Sequence, residues 1–210
     1  MDSAALMATE TTAFAQPARG EEERARADVY SLIAALLGRP ADERMLLLLR
    51  TLDTGGATGT QMAPVWDLLR QAAHDARAEE VADEYQELFI GIGRGELVPY
   101  GSWYLTGFLM ERPLAELRTD LARLGFERDE NVREPEDHVA ALCETMSLLI
   151  AGEDVPFEAQ REFHEKHVAP WMGRFFNDLA QARSARFYRA VGLLGEQFMK
   201  LERAYFAMAV

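Results

Sequence analysis

The 210-residue chain has a single cysteine, Cys143, so no disulfide can form within it and a reducing compartment is the expected setting. Long apolar stretches are also missing. Runs such as Met45–Leu49 fall far short of the ~20 residues that a membrane-spanning helix needs. The N-terminal residues, MDSAALMATETTAFAQPARGEEER, have neither a basic front nor an apolar run that would make a secretory signal, so a cytoplasmic location is expected. Basic residues are outnumbered, 22 Lys and Arg against 35 Asp and Glu, for a formal charge of −13. Such a surface repels phosphate backbones, which argues against nucleic acid and favours cationic peptides or basic protein faces. Sustained apolar–polar alternation is absent too, so no segment is a candidate strand.

What remains is helical. Hydrophobic residues make up 49% of the chain, enough for a real core. Phe187, Val191, Leu194, Phe198, Leu201, Tyr205 and Met208 alternate steps of four and three, one stripe along a C-terminal helix. Leu114, Leu117, Leu121 and Leu124 form a second stripe, opened by Pro113 and closed by Gly125. Further helices are expected near 22–37, 41–52, 62–77, 79–90, 135–151 and 157–181, the last broken at Pro170. Residues 1–20, ending in Pro17 and Gly20, read as a flexible tail; residues 21–210 read as one all-α domain of about eight to ten helices.

Two stretches carry candidate chemistry. GIGRGELVPYGSWY, residues 91–104, crowds glycines beside Tyr100, Trp103 and Tyr104, as binding loops do, with the glycines giving hinge freedom. EPEDHVAALCETM, residues 134–146, loads Glu134, Glu136, Asp137 and His138 onto the front of a helix. On a wheel drawn through it, Val139, Leu142, Cys143, Met146, Leu149 and Ile150 share the core face. Asp137 points away from that face and His138 lies at its edge. Acids there start a helix, and they can also pair with a cationic ligand.

Enzyme constellations do not assemble. Cys143 falls on the core face, away from His138, and behaves as a small hydrophobe. The glycines at 91, 93 and 95 lack both the spacing and the following Lys of a phosphate loop. His164 and His167, three apart on one helix, can occur in helical metal sites but lack further ligands in sequence. No metal, cofactor or catalytic residue is therefore expected. A helical metal-binding protein or enzyme using His164 and His167 is the alternative reading.

Three local patterns, in order, resemble the TorD/DmsD family of redox-enzyme maturation chaperones, related to the NarJ group. They are Tyr85-Gln86-Glu87-Leu88-Phe89-Ile90-Gly91; Pro99-Tyr100-Gly101-Ser102-Trp103-Tyr104; and Glu134-Pro135-Glu136-Asp137-His138 with Met146 beyond. His167-Val168-Ala169-Pro170-Trp171 is similar to a further feature of the family. Gly101 stands where many members carry Glu. The resemblance implies an all-helical cytoplasmic chaperone of an immature molybdopterin-dependent catalytic subunit, often bound through its twin-arginine leader peptide. Domain-swapped dimers and weak guanine-nucleotide binding are also associated with the family; the resemblance implies a monomer or a domain-swapped dimer here, and the nucleotide is not carried over.

On that resemblance, the expected client-binding residues are Tyr85, Leu88, Phe89, Pro99, Tyr100, Ser102, Trp103, Tyr104, Glu134, Asp137 and His138. Asp137 would pair with leader arginine, the aromatic residues and Leu88 would form an apolar trough, and His138 would hydrogen-bond at its edge.

Overall fold

The computed structural model describes residues 19–53, 59–92, 94–127 and 134–208. Along them run α1 (Arg19–Gly38), α2 (Glu43–Arg50), α3 (Ala63–Asp75), α4 (Ala78–Tyr85), a π turn (Gln86–Ile90), α5 (Gly101–Thr106) and α6 (Arg112–Arg123). After these come α7 (Val139–Ala151), α8 (Phe157–Phe163), a second π turn (His164–Val168), α9 (Met172–Gln181) and α10 (Phe187–Met208). Among the described residues there is no strand, only an isolated antiparallel bridge between Tyr100 and His138. The all-α expectation holds.

Two helix pairs organise the core. In the first, α7 lies along α1. The face read from sequence is the one buried: Val139, Leu142, Cys143, Met146 and Leu149 are at most 1% exposed and Ile150 is 6% exposed. Helix α1 answers with Tyr30, Ile33, Leu36 and Leu37, all in the core. In the second pair, α9 lies against α10. Gly192 and Gly195 permit that close approach, because a Cβ at either would run into the Ala180 backbone or the Phe176 ring. Helix α3 also packs on α10, and α2 packs on α3.

The α10 stripe is buried through Phe187, Val191, Leu194 and Phe198, then rotates: Phe206 is buried while Met208 is 77% exposed. A buried Arg26–Glu202 pair, bidentate at 2.6 and 2.8 Å, ties α1 to α10. The start of α10 is held from another element. The Glu84 carboxylate accepts from the backbone N–H groups of Arg186, Phe187 and Tyr188 at 2.7–3.0 Å. Those donors would otherwise be orphans of the helix N-terminus.

Several boundaries differ from the sequence reading. The helix expected over 79–90 becomes π-helical after Tyr85, closing with Gly91 N–H on Gln86 C=O at 2.7 Å. The helix over 157–181 loosens into its π turn at His164, a turn and a half before Pro170. The loop read from residue 91 to 104 contains the start of α5. The helix read over 135–151 begins only at Val139. The tail at 1–20 lies outside the described residues except for its last two, which already belong to α1.

Candidate functional site: the cleft between α1 and α7

The late start of α7 decides the geometry of the acid–histidine stretch. His138 is the N-cap residue, with extended backbone, and its Nδ1 accepts from Ala140 N–H at 3.2 Å. Asp137 therefore precedes the helix, and a wheel drawn through it does not apply. Its backbone C=O accepts from Gly101 N–H at 2.9 Å. Its Oδ2 accepts from Ser102 N–H at 2.7 Å and also from the Ser102 hydroxyl. Asp137 thus supplies, from outside, the acceptors that the first turn of α5 needs. Val139 N–H returns the link to Pro99 C=O at 2.9 Å. The expected partner for arginine is 3% exposed, with its Oδ2 and backbone C=O already engaged. Gly101 fits the same clamp, since a Cβ there would press on the Trp171 indole at 3.2 Å.

In front of this clamp is an open cleft of about 480 Å³. One wall is α1, through Ser31, Ala34, Ala35 and Gly38; the other is α7, through Ala140, Ala141, Glu144, Ser147 and Leu148. Its ends are Tyr85, Phe89 and Ile90 on one side and Pro99, Tyr100, Glu134 and His138 on the other. Small residues at spacings of three, four and seven on α1 and Ala140–Ala141 on α7 leave the space open.

The aromatic end depends on the first π turn. Gly91 adopts φ +61°, and a side chain there or at Gly95 would collide with the backbone of the facing strand of loop. That loop folds back, with Leu97 N–H on Leu88 C=O at 2.8 Å and Glu96 N–H on Glu87 C=O at 3.1 Å. These glycines allow close approach rather than the hinge freedom read from sequence. Leu88 is driven fully into the core, and Phe89 is left half-buried at the cleft. The Tyr85 and Phe89 rings meet edge to face at 4.9 Å, and both contact Tyr188.

The cleft's charge has one sign. Glu134 and Glu144 are exposed carboxylates, and no Lys or Arg lines it among the described residues. The Tyr100 hydroxyl donates to Glu134, and burial together with that carboxylate raises the Tyr100 phenol. The Tyr85 hydroxyl donates to Leu37 C=O at 3.0 Å; burial, with Glu134 adding, pushes its pKa up to about 12. His138 is held below the usual histidine value by burial, against the opposing pull of Glu134 and Asp137, so it is neutral at pH 7. A cation entering here meets two carboxylates, phenolic and aromatic surface, and no competing positive charge.

Of the eleven residues expected from sequence, Tyr85, Phe89, Pro99, Tyr100, Glu134 and His138 line the cleft. Leu88, Ser102 and Asp137 are buried behind it. Trp103 and Tyr104 face another surface. Arg94 lies over the Trp103 ring at 4.5 Å, and the Tyr104 hydroxyl donates to Asp178 at 3.0 Å beneath the Arg174 guanidinium. Glu144 and the small-residue wall were missed. Their signal in sequence was the spacing Ser31, Ala34, Ala35, Gly38, which reads as ordinary helix surface until a partner helix is placed beside it.

His164 and His167 serve different clusters. His164 is buried against Phe206 at 4.7 Å, and burial, with Arg26 and Arg203 adding, pushes its pKa down to about 4. His167 Nε2 lies 2.8 Å from the Asp120 carboxylate that Lys166 also engages. Among the described residues, no group of three or more His, Cys, Asp or Glu is disposed around a metal position. Cys143 is fully buried, and burial raises its thiol.

Residues 57–177 match the sequence model of the nitrate reductase delta subunit family. The "Chaperone protein TorD" of Vibrio parahaemolyticus is 27% identical over 202 residues, covering 86% of this chain and 94% of that protein. The protein of the same name from Shewanella loihica is 25% identical over 199 residues, covering 85% and 92%. Among solved structures, a putative redox enzyme maturation protein from Archaeoglobus fulgidus superposes with a TM-score of 0.55 at 17% identity, over 90% of this chain and 99% of that one. At that identity the likeness speaks for the fold.

Proposed function

Because the chain belongs to the nitrate reductase delta subunit family, in which TorD/DmsD maturation chaperones are its relatives, we propose that it is a cytoplasmic chaperone of an immature molybdoenzyme. It holds the catalytic subunit of a molybdopterin-dependent oxidoreductase until the cofactor is inserted, gripping the leader peptide in the α1–α7 cleft. The observation that carries this reading is the cleft's one-signed charge beside apolar surface.

A leader with paired arginines has a basic front and an apolar middle, and the cleft offers a surface for each. Glu134 and Glu144 receive the guanidinium groups, which bind carboxylates through a planar fork. Phe89, Tyr100 and the exposed side chains of Ile90 and Leu148 receive the apolar segment. The chain's overall charge of −13 speeds encounter with a basic peptide. Asp137 and Ser102 act through construction: they fix the start of α5 and thereby the position of Tyr100. This assignment moves the arginine-binding role from Asp137 to Glu134 and Glu144.

The test is calorimetric titration with a synthetic twin-arginine leader peptide. The wild-type chain binds it, and replacing the paired arginines by glutamines abolishes most of the affinity. A leader that binds equally well without its arginines, or not at all, overturns the reading.

A further inference from the structure

Helix α4 and its π turn serve two surfaces. Tyr85, Phe89 and Ile90 line the cleft, while Glu80, Val81 and Glu84 border a second groove of about 470 Å³ between α3, α4 and the start of α10. The groove is aliphatic, with Ala72, Val81, Ala190, Leu193 and Leu68, the last 49% exposed. On its edge stand Arg186 and Arg189, both exposed, and among the described residues neither guanidinium has a hydrogen-bond or ion-pair partner. Two of its three acids are engaged: Glu84 holds three α10 amides, and Asp75 accepts from Gln71 at 3.0 Å. All three keep their charge, since amide donors do not neutralise a carboxylate, and among the described residues only Glu80 has no hydrogen-bond or ion-pair partner. Unlike the cleft, which no Lys or Arg lines among the described residues, this groove carries a basic edge at Arg186 and Arg189.

We propose that this groove is a second docking site, taking an amphipathic helical segment of the client polypeptide whose acidic flank pairs with Arg186 and Arg189. A helix suits the site because the groove runs between helices and presents apolar floor rather than a free sheet edge. A phosphate ligand is disfavoured, since the α10 amides that would cradle it are already taken by the Glu84 carboxylate. Glu80 facing the arginines fixes the segment's orientation, acidic flank toward α10 and basic flank toward α4. The choice of the client as occupant rests on the function proposed above. It is supported by continuity: Glu84 and Tyr85, adjacent on one helix, border the groove and the cleft respectively, so one polypeptide can reach both.

Three synthetic probes test this on the full chain by calorimetry. One is a designed helix with leucines at three- and four-residue spacing flanked by glutamates, and the second is its lysine-flanked counterpart. The third joins the acidic helix to a twin-arginine leader by a flexible linker. The acidic helix is expected to bind, and R186E/R189E to weaken it by about tenfold or more. L68E, as an independent variant of the apolar floor, should weaken it similarly, and neither variant should change affinity for the leader alone. The joined probe should bind at least about tenfold tighter than the leader alone, a gain that R186E/R189E removes. No binding of the acidic helix, equal binding of the lysine version, or indifference to R186E/R189E overturns the groove. Displacement of the acidic helix by inorganic phosphate would make it an anion site and overturn it as well. No gain from joining the probes overturns the client as occupant. Failure of the leader alone to bind is the separate result that removes the function proposed for the cleft.

Discussion

Glu134 and Asp137 are three residues apart, carry the same chemistry, and end in opposite surroundings. Glu134 stands exposed at the cleft mouth with the Tyr100 hydroxyl on its carboxylate. Asp137 is sealed behind it, accepting from Ser102 and Gly101 to start α5. The front region is open to solvent, and the rear region holds the front in place. The contrast teaches that a motif can divide its labour. Residues close in sequence stand exposed in one case and sealed as scaffold in the next, and only burial separates the two. Glu84 repeats the rear device at the start of α10.

The largest effect expected of a buried polar group lies outside this motif, at His164. A histidine whose folded pKa is depressed contributes stability while neutral, and that contribution drains as pH falls from the unfolded value near 6.5. With Arg26 and Arg203 facing it and a folded pKa of about 4, His164 should forfeit about 3 kcal/mol across that window. Urea unfolding at pH 7 and pH 4.5 should show a loss that shrinks in His164→Gln. Equal pH dependence in the two proteins would contradict the buried, neutral state.

Next comes Asp137→Ala. It strips acceptors from buried donors of Ser102 and should cost about 2–3 kcal/mol in urea unfolding, with weaker leader binding only as a consequence. A fully stable Asp137→Ala protein that has lost leader affinity would return the aspartate to the front. The paired variant Glu134→Gln/Glu144→Gln should do the converse. Leader affinity should fall by about 1–3 kcal/mol, while the denaturation midpoint barely moves. The smallest effect is expected from Trp103→Phe, outside the cleft. Leader affinity should stay within about twofold, because Trp103 does not line the cleft. A larger loss would extend the contact surface to the Arg94–Trp103 face.

Much of this was legible in residue order, and the reasons are local. The core face of α7 and the first half of the α10 stripe follow from helical periodicity, so Val139, Leu142, Cys143, Met146, Leu149 and Ile150, with Phe187, Val191, Leu194 and Phe198, are buried as read. Tyr85 and Phe89, four apart, meet through local geometry, whereas Pro99 and Tyr100 reach the cleft through long-range bonds to the segment around Asp137 and Val139. Asp137 was misread because the wheel assumed a helix from residue 135, and the chain delays that helix to gain hydrogen bonds with a segment 35 residues away. Trp103 and Tyr104 left the trough for a related reason, since α5 turns them toward Arg94 and α9.

Residue order alone determined that this chain is helical, acidic, poor in cysteine and supplied with an aromatic stretch beside an acid–histidine stretch, because composition and periodicity act over a few turns. Which carboxylates face a ligand was decided only by tertiary packing. Burial depends on what lies opposite, and the opposite wall of the cleft, the small-residue stripe of α1, comes from a part of the chain more than 100 residues before Glu144.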